Sequence, residues 1–280
     1  MEILDGKKVK KELLKELKHN LELLQEKLSL VVIQVGDNEA SNIYVNQKRK
    51  MALEVGLNFR HIKLNENIKE EELLELIDEL NNSEDVTGIM VQMPLTEGID
   101  AKKIQNAILP EKDVDGLTDM NMGKLAHNDE SALVACTANG VMNILDYYGI
   151  DVKGQNVVIV GRSDLVGKPL QALMLNKDAT VTVCHSKTKD LKSYTSKADI
   201  LVVAIGKANY IKKDDVKDGA VIVDVGINRI DGKIYGDVDF ESVKDKVSYI
   251  TPVPGGVGQM TVASLGQNTY KAHMLKKDLK

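Results

Sequence analysis

Five stretches of the chain are nearly unbroken in aliphatic residues: LVVIQVG (30–36), VTGIMVQMPL (86–95), NVVIVG (156–161), ADILVVAIG (198–206) and AVIVDVGINR (220–229). Runs of this length, bounded by Gly, Pro or polar residues and rich in Val and Ile, predict strands buried on both faces. FRHIKL (59–64) and ATVTVCHS (179–186) read as further strands, and YITPVPGG (249–256) as a short one running into a loop. Helical patterns separate them. Residues 7–28 are rich in Lys, Glu and Leu, DNEAS opens a helix that stops near Gly56, and 67–82 carries Leu and Ile at amphipathic spacing. VGKPLQALMLNK (166–177) and MTVASLGQNTYKAHMLKK (260–277) predict two more.

Strands alternating with helices predict parallel sheets with crossover connections, an α/β fold class. The polar passage NMGKLAHNDES (121–131) divides the pattern into a first domain, 1–120, and a second, 121–261. The two are expected to form a cleft, with the last helix, 262–280, returning to brace the first domain. Beyond the βα alternation there is no internal repeat.

Composition narrows the classes of function. Hydrophobic residues make up 43% of 280 and the formal charge is -5, with Lys and Arg scattered among Asp and Glu. That balance argues against backbone binding to nucleic acid but leaves room for a local basic pocket. Cys136 and Cys184 are far apart and outside any metal-ligand spacing, so neither a disulfide framework nor a metal site is expected. The start MEILDGKKVK has no apolar signal core and no run of eighteen apolar residues follows, so a soluble, cytoplasmic protein without membrane contact is expected.

GRSDLVGKP (161–169) lies between a predicted strand and a predicted helix. There exposed N–H groups and a helix start can receive a pyrophosphate, which makes the second domain Rossmann-like. The string departs from GxGxxG, since Ser163 takes the second glycine position and Gly167 comes one residue late. An ordinary βα loop with tight-turn glycines is the competing reading. A triphosphate loop is excluded, because Pro169 stands where its hydroxyl residue belongs. At the end of the next strand an NAD site usually offers Asp or Glu to the ribose hydroxyls. This chain reads CHSKT instead, with Ser186 and Lys187, and Arg162 lies in the turn. Hydroxyls and cations suit a 2′-phosphate, so NADP is the expected cofactor. His185 falls at the adenosine end, far from any chemistry.

YVNQK (44–48) places Tyr44 and Lys48 one helical turn apart on one face. Tyr-x-x-x-Lys is also a short-chain dehydrogenase signature, but there it follows the glycine turn. Here it precedes it by more than a hundred residues. The pair must therefore come from a separate domain.

VGDNEASNIYVNQKRKMALEVG (35–56), GIMVQMPLTEGID (88–100), PEKDVDGLTDMNMGKL (110–125), GRSDLVGKPL (161–170), DVGINR (224–229), GDVDF (236–240) and YITPVPGGVGQMTVASLGQNT (249–269) occur in this order. Together they resemble the bifunctional methylenetetrahydrofolate dehydrogenase/cyclohydrolase family over nearly the full chain. The resemblance implies NADP-dependent oxidation of 5,10-methylenetetrahydrofolate to the methenyl form and its hydrolysis to 10-formyltetrahydrofolate. It also implies a homodimer held through the cofactor domain. It makes Lys48 the central catalytic residue, Tyr44 the aromatic that packs on folate, and Gln92 the partner of the lysine. Asp115 becomes the carboxylate that recognises the pterin edge; spacing alone leaves Asp113 as its equal. Pro254, Gly255 and Gly256 complete the folate side, while Gly161, Arg162, Ser163, Val166, Gly167, Ser186 and Ile227 contact the cofactor. Ser41 is expected to cap or orient the helix that presents Tyr44.

Alternatives are a dehydrogenase with little cyclohydrolase activity and a non-catalytic sensor of NADP or folate. The chain departs from the family where PCTP becomes ACTA (135–138) and GGVGPMT becomes GGVGQMT. Ala135, Ala138 and Gln259 thus relax three positions that proline would hold rigid.

Overall fold

The computed structural model describes residues 1–278. In chain order the elements are β1 (Glu2–Ile3), α1 (Gly6–Glu22), β2 (Ser29–Val35), α2 (Glu39–Val55), β3 (Asn58–Leu64), α3 (Glu70–Asn82), β4 (Gly88–Gln92), α4 (Ala101–Ala107), α5 (Asp119–Ala126) and α6 (Cys136–Tyr147). They continue as β5 (Asn156–Val160), α7 (Gly167–Asn176), β6 (Thr180–Cys184), α8 (Lys192–Thr195), β7 (Ile200–Val203) and β8 (Val221–Asp224). The hairpin β9 (Asn228–Ile230) and β10 (Lys233–Tyr235), then α9 (Phe240–Val243), β11 (Tyr249–Ile250) and α10 (Met260–Asp278) complete the chain.

Two compact α/β units hold these elements. The first comprises Glu12–Cys136 with the part of α10 from Val262 onward. Its sheet is parallel, in the order β3-β2-β4. Leu30 and Val32 of β2 and Met90 of β4 pack with α1, α2 and α10 on one face. Val31, Ile33 and Val35, with Ile89 and Val91, pack with α3 and α4 on the other. Side chains alternate along a strand, so parity places Gln34 and its register partner Gln92 on the α2 face.

The second unit comprises Met1–Lys11 and Thr137–Thr261. Its main sheet runs β1-β11-β8-β7-β5-β6, every pair parallel. In both sheets the strand order reverses about one strand: β2 lies between β3 and β4, and β5 between β6 and β7. Such switch points open a crevice beyond the carboxyl ends of the strands, where ligands bind in open α/β sheets.

The boundaries differ from a split at 120/121. Residues 1–11 join the second unit because Glu2 and Ile3 pair with Tyr249 and Ile250. Residues 121–136 stay with the first unit, and 121–131 is no plain connector, since α5 covers its start. The Asn121 amide explains the attachment: it donates to Pro110 O and Asp113 Oδ2 and accepts the Leu133 N–H. Two residues of the expected helix 262–280 lie outside the described residues. Residues 220–229 also divide, into β8 and the separate β9.

Candidate active site

Helix α2 buries Ser41, Val45, Lys48, Ala52 and Val55 along one stripe. Lys48 thus occupies a position where helical spacing calls for an aliphatic residue, and it is only 4% exposed. Asn38, not Ser41, caps the helix by accepting the Ser41 N–H at 3.1 Å. Ser41 instead directs its hydroxyl to Met93 O at 3.4 Å. Tyr44, one turn before Lys48, sits beside the buried stripe and is 44% exposed.

At the carboxyl end of β4, Gln92 Oε1 accepts a hydrogen bond from Lys48 Nζ at 2.6 Å. Gln92 Nε2 donates to Met93 O at 2.6 Å, which fixes which end of the amide meets the lysine. Burial pushes the Lys48 ammonium below the usual lysine value, and the Asp115 carboxylate pulls it part of the way back. Burial likewise pushes Asp115 up to about 6, with Lys48 opposing and Asp113 reinforcing the rise. Asp115 therefore remains largely ionised at neutral pH.

Asp113 and Asp115 differ in their bonding. Asp113 is spent on structure: it accepts from Gly116 N at 2.9 Å, Thr118 N at 2.8 Å and Asn121 Nδ2 at 3.0 Å. Asp115, two residues on, is the partly exposed one and the one coupled to Lys48.

Sequence reasoning missed the burial of two further residues, one beside this group and one in the segment that carries Asp115. Cys136 is buried, donates through Sγ to Val114 O at 3.3 Å and couples electrostatically to Asp115 and Lys48. Burial holds its thiol well above the ordinary value, so it is a neutral filler at neutral pH. Lys112 is buried too, and its Nζ donates to the carbonyls of Leu80, Asn81 and Ser83 at 3.0, 2.7 and 2.7 Å. It ties the end of α3 to the segment that carries Asp115. Its place in PEKDVDG, beside two acidic residues, gave no hint of burial.

In the second unit the glycine turn begins at the end of β5. A side chain on Gly161 would meet Ala204 O at 2.3 Å, and one on Gly167 would meet Gly161 O at 2.2 Å. Gly161 also takes φ +130, so only glycine allows this approach. Ser163 closes the turn: its Oγ accepts Val166 N at 3.2 Å and its carbonyl accepts Lys168 N at 3.1 Å. The amino end of α7 is left facing the crevice at the switch point, a site suited to a pyrophosphate. Arg162 and Ser186 are exposed, whereas Val166 is buried against the helix start. After β6 the turn 185–188 is closed by Thr188, which accepts the His185 N–H at 2.8 Å, and it carries no carboxylate. These donors fit a 2′-phosphate better than a free ribose diol.

Ile227 is 47% exposed just past β8. In the 254–256 loop, Gly255 takes φ +117, and a side chain on Gly256 would meet Pro252 O at 2.7 Å. Pro254 is exposed at the tip. Gln259 donates its backbone N–H to Gly256 O at 3.1 Å, a bond that proline could not make.

The structure thus gathers Lys48, Gln92 and Asp115 in the first unit, with Tyr44 at its edge. The glycine turn, Ser186, Ile227 and the 254–256 loop belong to the second.

Two family models match the chain: the tetrahydrofolate dehydrogenase/cyclohydrolase catalytic domain over residues 4–115, and the NAD(P)-binding domain of the same family over 135–277. The bifunctional protein FolD of Francisella philomiragia is 52% identical over 275 residues, covering 97% of this chain and 98% of its own. The structure of the bifunctional FolD methylenetetrahydrofolate dehydrogenase/cyclohydrolase from Campylobacter jejuni superposes with a TM-score of 0.97 at 48% identity, covering 99% of both chains. The Trypanosoma brucei enzyme, solved with NADP cofactor and an inhibitor, superposes with a TM-score of 0.92 at 36% identity, covering 99% of this chain and 98% of that one. Full-length similarity on this scale, with both domain models in order, leaves one assignment: the chain belongs to the tetrahydrofolate dehydrogenase/cyclohydrolase family.

Proposed function

We propose that the chain oxidises 5,10-methylenetetrahydrofolate to 5,10-methenyltetrahydrofolate with NADP, and hydrolyses the product to 10-formyltetrahydrofolate, using Lys48, Gln92 and Asp115 as its reactive group. The observation that carries this reading is the buried Lys48 Nζ held at 2.6 Å by Gln92 Oε1, inside the stretch matched by the family's catalytic domain.

The two steps make different demands. In the oxidation a hydride leaves a carbon flanked by two nitrogens, whose lone pairs stabilise the developing cation. That step needs alignment more than acid or base. NADP, when bound, supplies the hydride acceptor; Gly161, Gly167 and the start of α7 would hold its pyrophosphate, Arg162 and Ser186 its 2′-phosphate, and Ile227 would contact it through its backbone. Tyr44 packs on the pteridine, and Asp115 accepts paired N–H donors from its amino-pyrimidine edge. Pro254, Gly255 and Gly256 let the backbone approach the ligand closely.

In the hydrolysis water adds to the amidinium carbon. Neutral Lys48 Nζ takes a proton from that water as the C–O bond forms. The C–N5 bond then breaks, its electron pair stays on N5, and the lysine ammonium returns a proton there. The remaining hydroxyl proton leaves to solvent as the formyl C=O forms. Burial lowers the pKa of Lys48, the direction that eases both the uptake and the return of a proton at Nζ. Retention of the Lys48–Gln92 pair argues for both activities rather than the dehydrogenase alone.

Homodimerisation through the second unit and a cytoplasmic location complete the proposal. Among the described residues no helix is long and apolar enough to cross a membrane. The decisive assay supplies purified protein with tetrahydrofolate, formaldehyde and either NADP or NAD, and resolves methenyl and formyl products. Methenyl formation with NAD alone, or no formyl product, would overturn the corresponding half.

A further inference from the structure

Behind the cofactor turn lies a pair of buried carboxylates that the chemistry above does not use. Asp237 is fully buried and accepts four hydrogen bonds. Its Oδ2 takes the N–H groups of Ile205 at 2.6 Å and Gly206 at 2.9 Å; its Oδ1 takes Lys207 N at 2.7 Å and Asn228 Nδ2 at 2.9 Å. Three consecutive backbone donors turned to one anion form a nest of the kind that binds phosphate. Here the chain fills it with its own side chain.

Asp224 at the end of β8 stands beside it. Asp224 accepts Gly226 N at 3.1 Å, Asp237 N at 3.0 Å and Val238 N at 2.9 Å. Thr251 braces it from below, accepting the Asp224 N–H at 2.7 Å. The fit is tight on both sides. A side chain on Gly226 would meet the Asp237 carboxyl at 2.1 Å, and one on Gly236 would meet Asp224 Oδ2.

The three backbone groups that Asp237 holds follow directly on β7, at the switch point. Ala204, the residue before them, supplies the carbonyl against which Gly161 packs. Asn228, the fourth donor, follows Ile227. One carboxylate therefore joins the floor of the glycine turn to the segment carrying the exposed isoleucine.

We propose that Asp237 is a positioning residue for the dinucleotide: its carboxylate ties the 205–207 backbone to the side chain of Asn228, and so sets cofactor affinity without touching the hydrolytic group. The proposal rests on the function assigned above, and its filled nest leaves the α7 start as the phosphate site.

Two variants test it. Asp237→Asn keeps the shape but turns an amide N–H toward backbone N–H donors. Asn228→Ala removes one donor and leaves the three backbone bonds in place, so it serves if the first variant folds poorly. The measurements are NADPH dissociation constants by ligand fluorescence, KM for NADP, kcat, melting temperature, and hydrolysis of supplied methenyltetrahydrofolate, which consumes no nicotinamide. Expected are a tenfold or larger weakening of NADPH binding and a matching rise in KM for NADP in Asp237→Asn, and about threefold in Asn228→Ala. The folate KM and the hydrolysis rate stay within twofold.

Unchanged NADPH binding in both folded variants would overturn the proposal. So would a parallel fall of hydrolysis and oxidation, the mark of a merely structural role. If the wild-type protein binds NADPH but turns over no folate, the function above fails while the binding series still decides the role of Asp237. A wild-type protein that binds no NADPH overturns both.

Discussion

Replacing Gln92 with Met tests whether the amide tunes Lys48. The substitution keeps volume and removes the oxygen 2.6 Å from Nζ. A hydrogen bond made by a charged donor is worth roughly 1.5–3 kcal/mol, and one made by a neutral amine roughly 0.5–1.5 kcal/mol. Loss of the acceptor therefore costs the ammonium about 1–1.5 kcal/mol more than it costs the amine. A difference of about 1.4 kcal/mol is tenfold in an equilibrium, so the ratio of neutral to charged Lys48 rises on the order of tenfold at a given pH. Met93 O loses the Gln92 donor but keeps the Ser41 hydroxyl at 3.4 Å, so the strand end stays in place.

The assay is the pH profile of methenyltetrahydrofolate hydrolysis, wild type against Gln92→Met, with melting temperature as the fold control. The limb governed by Lys48 should move to lower pH. If that limb is the acid one, the neutral amine is the working form; if it is the alkaline one, the ammonium is. A limb that stays in place or moves upward in a folded variant would refute the claim that Gln92 stabilises the charged lysine.

Other outcomes follow from the same geometry. Lys48→Met should abolish hydrolysis, measured as formyl product, while the melting temperature holds or rises, because an apolar side chain suits the buried stripe. Asp115→Asn should raise the folate KM at least tenfold yet stabilise the protein at neutral pH. With a folded value of about 6 against an ordinary 3.8, the wild-type carboxyl favours the folded state below pH 4 and loses that advantage as pH rises through 6. The loss is up to about 3 kcal/mol, so thermal melts from pH 4 to 7 should fall more steeply for wild type than for Asp115→Asn. Restoring Ala135→Pro and Ala138→Pro together should lower both Michaelis constants a few-fold by stiffening the entry to α6, whereas Gln259→Pro removes the N–H that Gly256 O accepts and should bring no further gain; unchanged constants in the double variant would show that these positions do not limit affinity.

What could be read from the sequence divides along physical lines. The buried parallel strands were legible because both faces are covered, so apolar runs such as NVVIV have no solvent-facing interruptions. The interval 121–147 was not. Helix α6, CTANGVMNILDY, contains Gly, Asn and Thr, all poor helix formers, and tertiary burial of Val141, Met142, Ile144 and Leu145 overrides that propensity. AVIVDVGINR read as one strand because nothing local reveals that Asp224 turns inward to bind Gly226 N and ends the ladder. Lys48 was found through its motif, but burial spacing carries an independent signal, since Val45, Lys48, Ala52 and Val55 fall on one helical stripe. Asp237 lay in a quoted string, GDVDF, yet its four donors come from residues 205–207 and 228, a link that only the fold supplies.

The identity of the lysine's partner decides what the site can do. Burial alone moves Lys48 down and Asp115 up, so one desolvated pocket shifts two opposite charges toward neutrality. Had the 2.6 Å partner been a carboxylate, its attraction would have reversed that shift and held the ammonium charged. An amide oxygen accepts from an ammonium and from a neutral amine alike, so Gln92 keeps the nitrogen in place through a change of protonation. The Met93 carbonyl matters for the same reason: by accepting Nε2 it prevents the amide from presenting N–H to the lysine. Proton exchange at Nζ then requires no rearrangement of its partner, and the carboxylate that does attract it, Asp115, is a separate group.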